Sequence, residues 1–543
     1  MARTIDERVI VTGRLVAESP LHIGGVGEDP NSDMPFIRDG QGRLFLPGSS
    51  LAGALRSWTW RRLGRPWSEC PEDNAKQNRA LLRHLWGYQP RAEDPLEVAG
   101  TLSDGDEGRA AALRLNDAPV LDDVLVEIRD GVGIDRALGV AADQVKYDRA
   151  IVPTGAAFDF RMVLETDGDR AHAKWQVLAL LLDDLQNARV PIGAATTRGL
   201  GRVRLRDTFV ETLDLTNRAI FLEALTRRVS GGKAETGRSD ADRLKGLVEV
   251  AKAELLPSPL PWTICIHWQP VGPVMVKADA EGTVVDMLPL TTRVDGVPRL
   301  VIPGSSVKGA LRAQAERIVR TVLGGDVRTD GFLEQVKVPL VMDLFGIAAP
   351  RKGEDGQAEG NTRDRKLGRG ALGVADCVAE TVFPEDLLEG KTEKPDAGSN
   401  EKSQLKPTMH VAIDRWTGGA AEHFLYSVLE PHGVEWPPID LTLDPARLPD
   451  DSATAALALL LLTLNDLVLG RLTLGFAGNR GMGEVKIEKV EIDWTEGLLA
   501  MKPGETAGTL TLNGSDLLAV LDETVRASLK TGWSDWIEKE CAA

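Results

Sequence analysis

Four short stretches of this 543-residue chain carry residue types and spacings that can hold an anion. The first, LPGSSLAGALRSWTWRRL from Leu46 to Leu63, turns at Pro47-Gly48, offers Ser49 or Ser50 as a helix cap, and then places Arg56, Arg61 and Arg62 on the helix. Such a helix start presents free backbone N–H groups, two hydroxyls and a positive dipole end, which together suit a phosphate. The second, IPGSSVKGALRAQAERI from Ile302 to Ile318, repeats the phrase with Ser305, Ser306, Lys308 and Arg312. The other two are glycine loops, GAATTRGLGRVRL from Gly193 and GFAGNRGMGEVKI from Gly475, where glycines allow close backbone approach and Arg198 or Arg480 could pair with a phosphate. One Pro-Gly-Ser phrase is an ordinary helix start, and one glycine loop is an ordinary hairpin with a solvated arginine. Recurrence favours the ligand reading. A dinucleotide-binding reading fails because no helix follows either glycine loop.

The elements that must position these residues recur as well. Leu85-Trp86-Gly87 matches Leu344-Phe345-Gly346 at an offset of 259, close to the 256 that separates Pro47 from Pro303. Leu115 to Ala118 matches Val374 to Cys377, again at 259. Farther on, Ile134-Asp135-Arg136 matches Ile413-Asp414-Arg415 at 279, and Leu180 to Asp184 matches Leu462 to Asp466 at 282, as do Gly193 and Gly475. These offsets describe a duplicated domain whose second copy has gained about twenty residues in loop-like stretches near 350–407. Each copy reads as an extended apolar segment (Arg8 to Ala17; Trp262 to Trp268), a loop, the PGSS helix, a hairpin-like segment, an apolar helix (Trp175 to Leu185; Ala455 to Leu469) and a glycine turn into a strand. That order predicts an α+β fold of two tandem ferredoxin-like domains, 1–256 and 257–543, with insertions. Helices between Leu213 and Leu255 and a boundary at Pro257 to Pro261 separate them, and a C-terminal helix is expected to begin near Ser515.

Composition sets the outer limits. With 43% hydrophobic and 27% charged residues the chain is of ordinary globular type and long enough for two full cores. Cys70, Cys265, Cys377 and Cys541 form no CxxC pair, so neither a disulfide framework nor a zinc site is indicated, and reduced cytoplasm is the expected setting. No apolar run is long enough for a membrane span. The net charge of −17 argues at face value against a nucleic-acid partner. Local charge within a Debye length of about 8 Å matters more, so a basic groove on an acidic protein remains compatible with RNA.

Taken together, LHIGG from Leu21, the D-x-P loop, LPGSSLAGALR, LWG, IRDGVGIDR from Ile128 and the glycine loop from Gly193 resemble the RAMP (repeat-associated mysterious protein) superfamily. The similarity is to backbone subunits of type III CRISPR effector complexes, and the duplication resembles fusions in which one chain supplies two successive units. The resemblance implies RNA-recognition-like domains lined up along a guide CRISPR RNA. It implies thumb hairpins, within Gly131 to Pro153 and near His410 to Pro431, that displace a base at intervals. It also implies an aspartate in the loop after the first strand that assists cleavage of complementary target RNA; by position these are Asp33 in NSDMPF and Asp286 in VVDMLPL. A carboxylate there could bind a divalent cation, magnesium or manganese, or help activate the target's own 2′-hydroxyl. No organic cofactor is implied. The implied partners are both RNAs, further RAMP backbone and small subunits, and the large cyclase/nuclease subunit.

The copies depart from each other at several such positions. His22, expected among the RNA contacts, has no counterpart, because Met275 stands in its place, and Ala52 stands where Lys308 offers a basic residue in the second copy. Asp286 lies 17 residues before its PGSS turn, against 14 for Asp33. The remaining histidines show no HExxH or clustered spacing, and no G-x-S-x-G elbow is present. Trp58 and Trp60 could stack on bases, yet beside Leu55 and Leu63 at least one belongs to a core. Two competing readings remain: a guide-binding scaffold without cleavage, and a guide-processing endoribonuclease, for which no histidine or lysine base is marked.

Overall fold

A computed structural model describes residues 4–25, 29–30, 32–65, 70–88, 108–168, 170–230, 241–325, 331–347, 368–391, 404–495, 498–502, 504–513 and 516–542. In the first copy, alternation in Glu7–Ala17 sends Val9, Val11, Leu15 and Ala17 to one face. This strand is central in a four-stranded antiparallel sheet of order Leu113–Leu115, Ala157–Thr166, Glu7–Ala17, Val203–Asp214. Helices Gly48–Leu63 and Ala171–Gln186 bury Leu51, Leu55 and Trp58 and a Leu178/Leu181/Leu182/Leu185 stripe in the same core. Each such leucine contributes roughly 1.5–3 kcal/mol by leaving water.

The second copy repeats this order. Its strands run Val485–Trp494, Trp262–Pro270, Ile439–Leu443, Leu372–Ala375, covered by helices Gly304–Leu323 and Ala453–Val468. Relative to chain order, both sheets are 4-1-3-2, with the PGSS helix and further helical segments after the first strand and the apolar helix after the third, which is the ferredoxin-like arrangement with insertions. One edge of the second sheet gains Gly508–Asn513. The other edge gains Arg198–Gly199 from the first copy, parallel to Leu372–Ala375. The glycine loop of the first copy thus adds a short strand to the sheet of the second.

Two hairpins project from these cores, Glu127–Ile134 with Ala141–Ile151 and Gln404–Ile413 with Ala420–His432, each starting a few residues earlier than the sequence indicates. Between the copies, helices Arg218–Ser230 and Ala241–Leu255 lead to the 257–261 linker, where the Ser258 N–H and hydroxyl donate to the carbonyls of Arg62 (2.6 Å) and Arg61 (2.9 Å). The last helix starts at Glu523, not near Ser515, because 508–513 forms a strand first. Most of the insertion near 350–407 lies outside the described residues; 368–391 supplies core residues such as Leu372, Val374, Phe383 and Leu387, and 404–407 opens the second hairpin. No helix among the described residues is long and apolar enough to cross a membrane.

Candidate nucleic-acid interface

At the PGSS turns the expected serine caps are not made. The helices start at Gly48 and Gly304 behind Pro47 and Pro303, with no side-chain cap bond from Ser49, Ser50, Ser305 or Ser306. Instead the N–H of Gly48 donates to Asp117 Oδ1 (2.7 Å) and that of Gly304 to Asp376 Oδ1 (2.8 Å). These aspartates match at offset 259, inside a repeat whose role the sequence left unassigned. A carboxylate already at the positive helix end weakens the phosphate-cradle expectation, since a second anion would meet like charge. Ser49 and Ser305 are exposed, and Ser50 and Ser306 are half-buried.

Three expected contact residues point inward. Lys308 is 6% exposed and donates from Nζ to the Leu372 carbonyl (2.6 Å); burial, with Arg198, Arg312 and Arg369 nearby, pushes its pKa down to about 7. Arg312 spends its guanidinium on Glu316 Oε1 (2.7 Å) and the carbonyls of Gly346 and Val336 (both 2.8 Å). His22 is 3% exposed with Nδ1 2.7 Å from the Ala150 carbonyl, and burial pulls its pKa down. Met275 is equally buried, so His22 occupies a packing position that methionine also fills. Arg56, by contrast, is exposed. Trp58 is a core residue, its indole donating to Asp184 Oδ2 (2.7 Å).

The glycine loops fold alike on top of that position. Gly193 and Gly475 both have φ of +87°, and a Cβ on either would overlap the carbonyl oxygen of His22 or Met275. The next residue closes the contact in each copy, Ala194 N–H to His22 (2.9 Å) and Phe476 N–H to Met275 (2.7 Å). Arg198 and Arg480 then emerge exposed, and each donates to a thumb tyrosine, Arg198 Nη1 to Tyr147 (3.1 Å) and Arg480 Nη1 to Tyr426. Sequence reading missed these tyrosines, although their offset of 279 equals that of the IDR motifs. The Arg149 guanidinium lies 5.6 Å from the Tyr147 ring, and His410 stacks on Tyr426 at 5.3 Å. Half-exposed rings beside arginines are surfaces on which a base can stack.

Asp33 and Asp286 come to equivalent places, exposed and against the outgoing thumb strand. In the first copy, Asp33 N–H donates to Asp148 Oδ1 (2.7 Å) while Asp148 N–H donates to Asp33 Oδ2 (3.1 Å). In the second, Asp286 N–H donates to Ser427 Oγ (3.0 Å), and Ser427 returns its N–H (2.7 Å) and hydroxyl (2.9 Å) to Asp286 Oδ2. The Ser427 N–H first, then its hydroxyl, hold the Asp286 carboxyl below the usual range. Opposite Asp148 on the hairpin stands Asp130, whose carboxyl is pushed up by burial and by Asp279. Among the described residues no three or more His, Cys, Asp or Glu gather as a metal cage. A loop carboxylate with its remaining valences open to phosphate and water suits a magnesium-type ion, which needs few protein ligands.

Two copies of one ferredoxin-like domain, each with a PGSS helix, a thumb and a glycine loop, define the class. The RAMP superfamily model matches residues 14–204 and 272–486, and the chain belongs to that superfamily. Over 221 residues the chain is 27% identical to the CRISPR system Cms endoribonuclease Csm3 of Methanocaldococcus jannaschii, covering 38% of this chain and 81% of that protein.

Proposed function

We propose that this chain is a double backbone subunit of a type III CRISPR ribonucleoprotein, holding guide RNA across both copies and cutting complementary target RNA beside Asp33 and Asp286. The observation that carries the reading is the matched placement of those two carboxylates, each exchanging hydrogen bonds with a thumb residue at offset 279. Similarity to a protein named as a CRISPR endoribonuclease supports the class of chemistry. Arg198 with Tyr147 and Arg480 with Tyr426 would face the RNA, the arginines neutralising phosphate and the rings stacking on bases. Exposed Arg56, Ser49 and Ser305 would contribute backbone contacts. A bound divalent cation would neutralise developing charge at the scissile phosphate, with Asp33 or Asp286 holding it. Guide processing is disfavoured, because His22, the histidine nearest a loop carboxylate in sequence, is buried on a carbonyl.

The test is a denaturing gel of end-labelled target RNA cut by the assembled complex in magnesium. Asp33→Ala should erase one product and Asp286→Ala another, with target binding retained. Survival of both products in the double variant would leave the scaffold reading.

A further inference from the structure

We propose that Asp148 and Ser427 are positioning residues, which hold the carboxylates of Asp33 and Asp286 in place and tie them to the thumbs. This rests on the cleavage reading above. The loops correspond at offset 253 and the thumb strands at 279, so the two pairings come from segments that shifted by different amounts, yet the same exchange forms. In each, the thumb side chain accepts the loop aspartate's N–H and the thumb N–H is returned to the aspartate's Oδ2. One side chain thus fixes the loop backbone, and one N–H fixes the carboxylate rotamer. Neighbouring bonds extend the tie: Ala150 N–H to Met34 (3.0 Å), and Met287 N–H to Ser427 with Leu429 N–H to Met287 (both 3.0 Å). A thumb that moves must therefore carry its acid with it.

The two residues do this with different chemistry. The Ser427 hydroxyl both accepts and donates, adding a second bond to Asp286 Oδ2. Ionised Asp148 can only accept, so Asp33 Oδ2 receives the backbone N–H alone from it, at the longer 3.1 Å. Serine should therefore substitute for Asp148, whereas alanine removes the acceptor of the Asp33 N–H and frees the loop.

The experiment uses the assembled complex and reads single-turnover rates for each product separately, alongside target affinity. Asp148→Ala should slow the Asp33 product by roughly ten- to a hundredfold, the cost of a displacement near 1 Å, without altering affinity or the Asp286 product. Ser427→Ala should do the same to the Asp286 product. Asp148→Ser should restore the first product to near the wild-type rate. Wild-type cutting by Asp148→Ala, while Asp33→Ala abolishes the product, overturns this proposal and leaves the cleavage reading standing. A slowed Asp148→Ala variant that has also lost affinity, or that serine does not rescue, overturns it as well, pointing to a general folding role. Retention of both products by Asp33→Ala with Asp286→Ala would remove the cleavage reading itself.

Discussion

The first thumb ends against the second copy, whereas the second thumb ends in solvent. At the first tip, Arg136 Nε donates to Glu316 Oε2 (2.6 Å), its N–H donates to Gln335 Oε1 (2.8 Å), and Gln335 Nε2 donates to Asp135 Oδ2 (3.1 Å). At its base Arg129 pairs with Asp376, both side chains nearly buried. The end of the first glycine loop meets the second copy too, since a Cβ on Gly199 would strike Asp376. At the second tip Trp416 is 96% exposed and Ile413 and Phe424 are exposed, while a Cβ on Gly481, which corresponds to Gly199, would meet nothing within 4 Å. Both tips nevertheless share one turn, in which Asp135 Oδ1 accepts the N–H groups of Ala137 and Leu138 and Asp414 Oδ1 those of Trp416 and Thr417. The repeat thus preserves how the tip folds, while the neighbour decides what its arginine does. Such a head-to-tail contact is heterologous, leaving one used and one unused surface.

The copies differ most at Glu316, which is fully buried and faces Arg136, Arg312 and Arg320. Its counterpart in the first copy is Trp60, which offers a thumb arginine no carboxylate. Glu316→Ala leaves three guanidinium groups without their shared anion and should cost about 3–5 kcal/mol, the range for breaking a buried pair from one side. Urea unfolding followed by tryptophan fluorescence would show it as a lowered midpoint. A midpoint within error of wild type would mean that this ion cluster does not hold the copies together.

A smaller effect is expected where the first PGSS helix meets the second copy. Arg61 makes two bonds to Asp444, at 2.7 and 2.9 Å. Burial pushes the Asp444 carboxyl up, but the Arg61 bonds and charge, with Arg447 and Arg369, outweigh it and leave the pKa below the ordinary 3.8. A depressed carboxyl contributes stability that is present above pH 3.8 and lost as pH falls through the lower folded-state value. Melting temperatures measured from pH 5 downward should therefore fall more steeply in wild type than in Asp444→Asn. Parallel curves would show that this pair does not contribute to acid sensitivity.

Much of the fold was legible because duplication repeats local signals. Pro-Gly before a helix, Asp at a thumb turn and glycine at positive φ each act within a few residues, and matching offsets set them in order. The candidate site was less legible where partners are distant. Asp117 reaches Gly48 across 69 positions and Asp148 reaches Asp33 across 115, so no local pattern assigns those roles. Lys308 and His22 look like surface contacts in a basic or polar context, and only packing shows that each spends its nitrogen on a carbonyl. The serines after Pro-Gly read as caps because they are good ones; a carboxylate just past the next strand took the first N–H instead.

The smallest difference between the thumbs is expected at their two tip arginines. Arg136 and Arg415 occupy the same place in the same IDR turn, and neither is needed to form it, since the aspartate supplies the turn bonds. Arg136 is mostly buried against fully buried Glu316, so Arg136→Ala should lower the unfolding midpoint of the isolated chain measurably. Arg415 is exposed, and surface substitutions away from caps and cores change stability little, so Arg415→Ala should leave the midpoint unchanged. Side-by-side urea melts of the two variants decide the matter. An equal loss in both would mean that the second tip is engaged in the isolated chain, by a second copy or by its own surface, and dilution of the protein would tell these apart because only the intermolecular contact weakens with concentration.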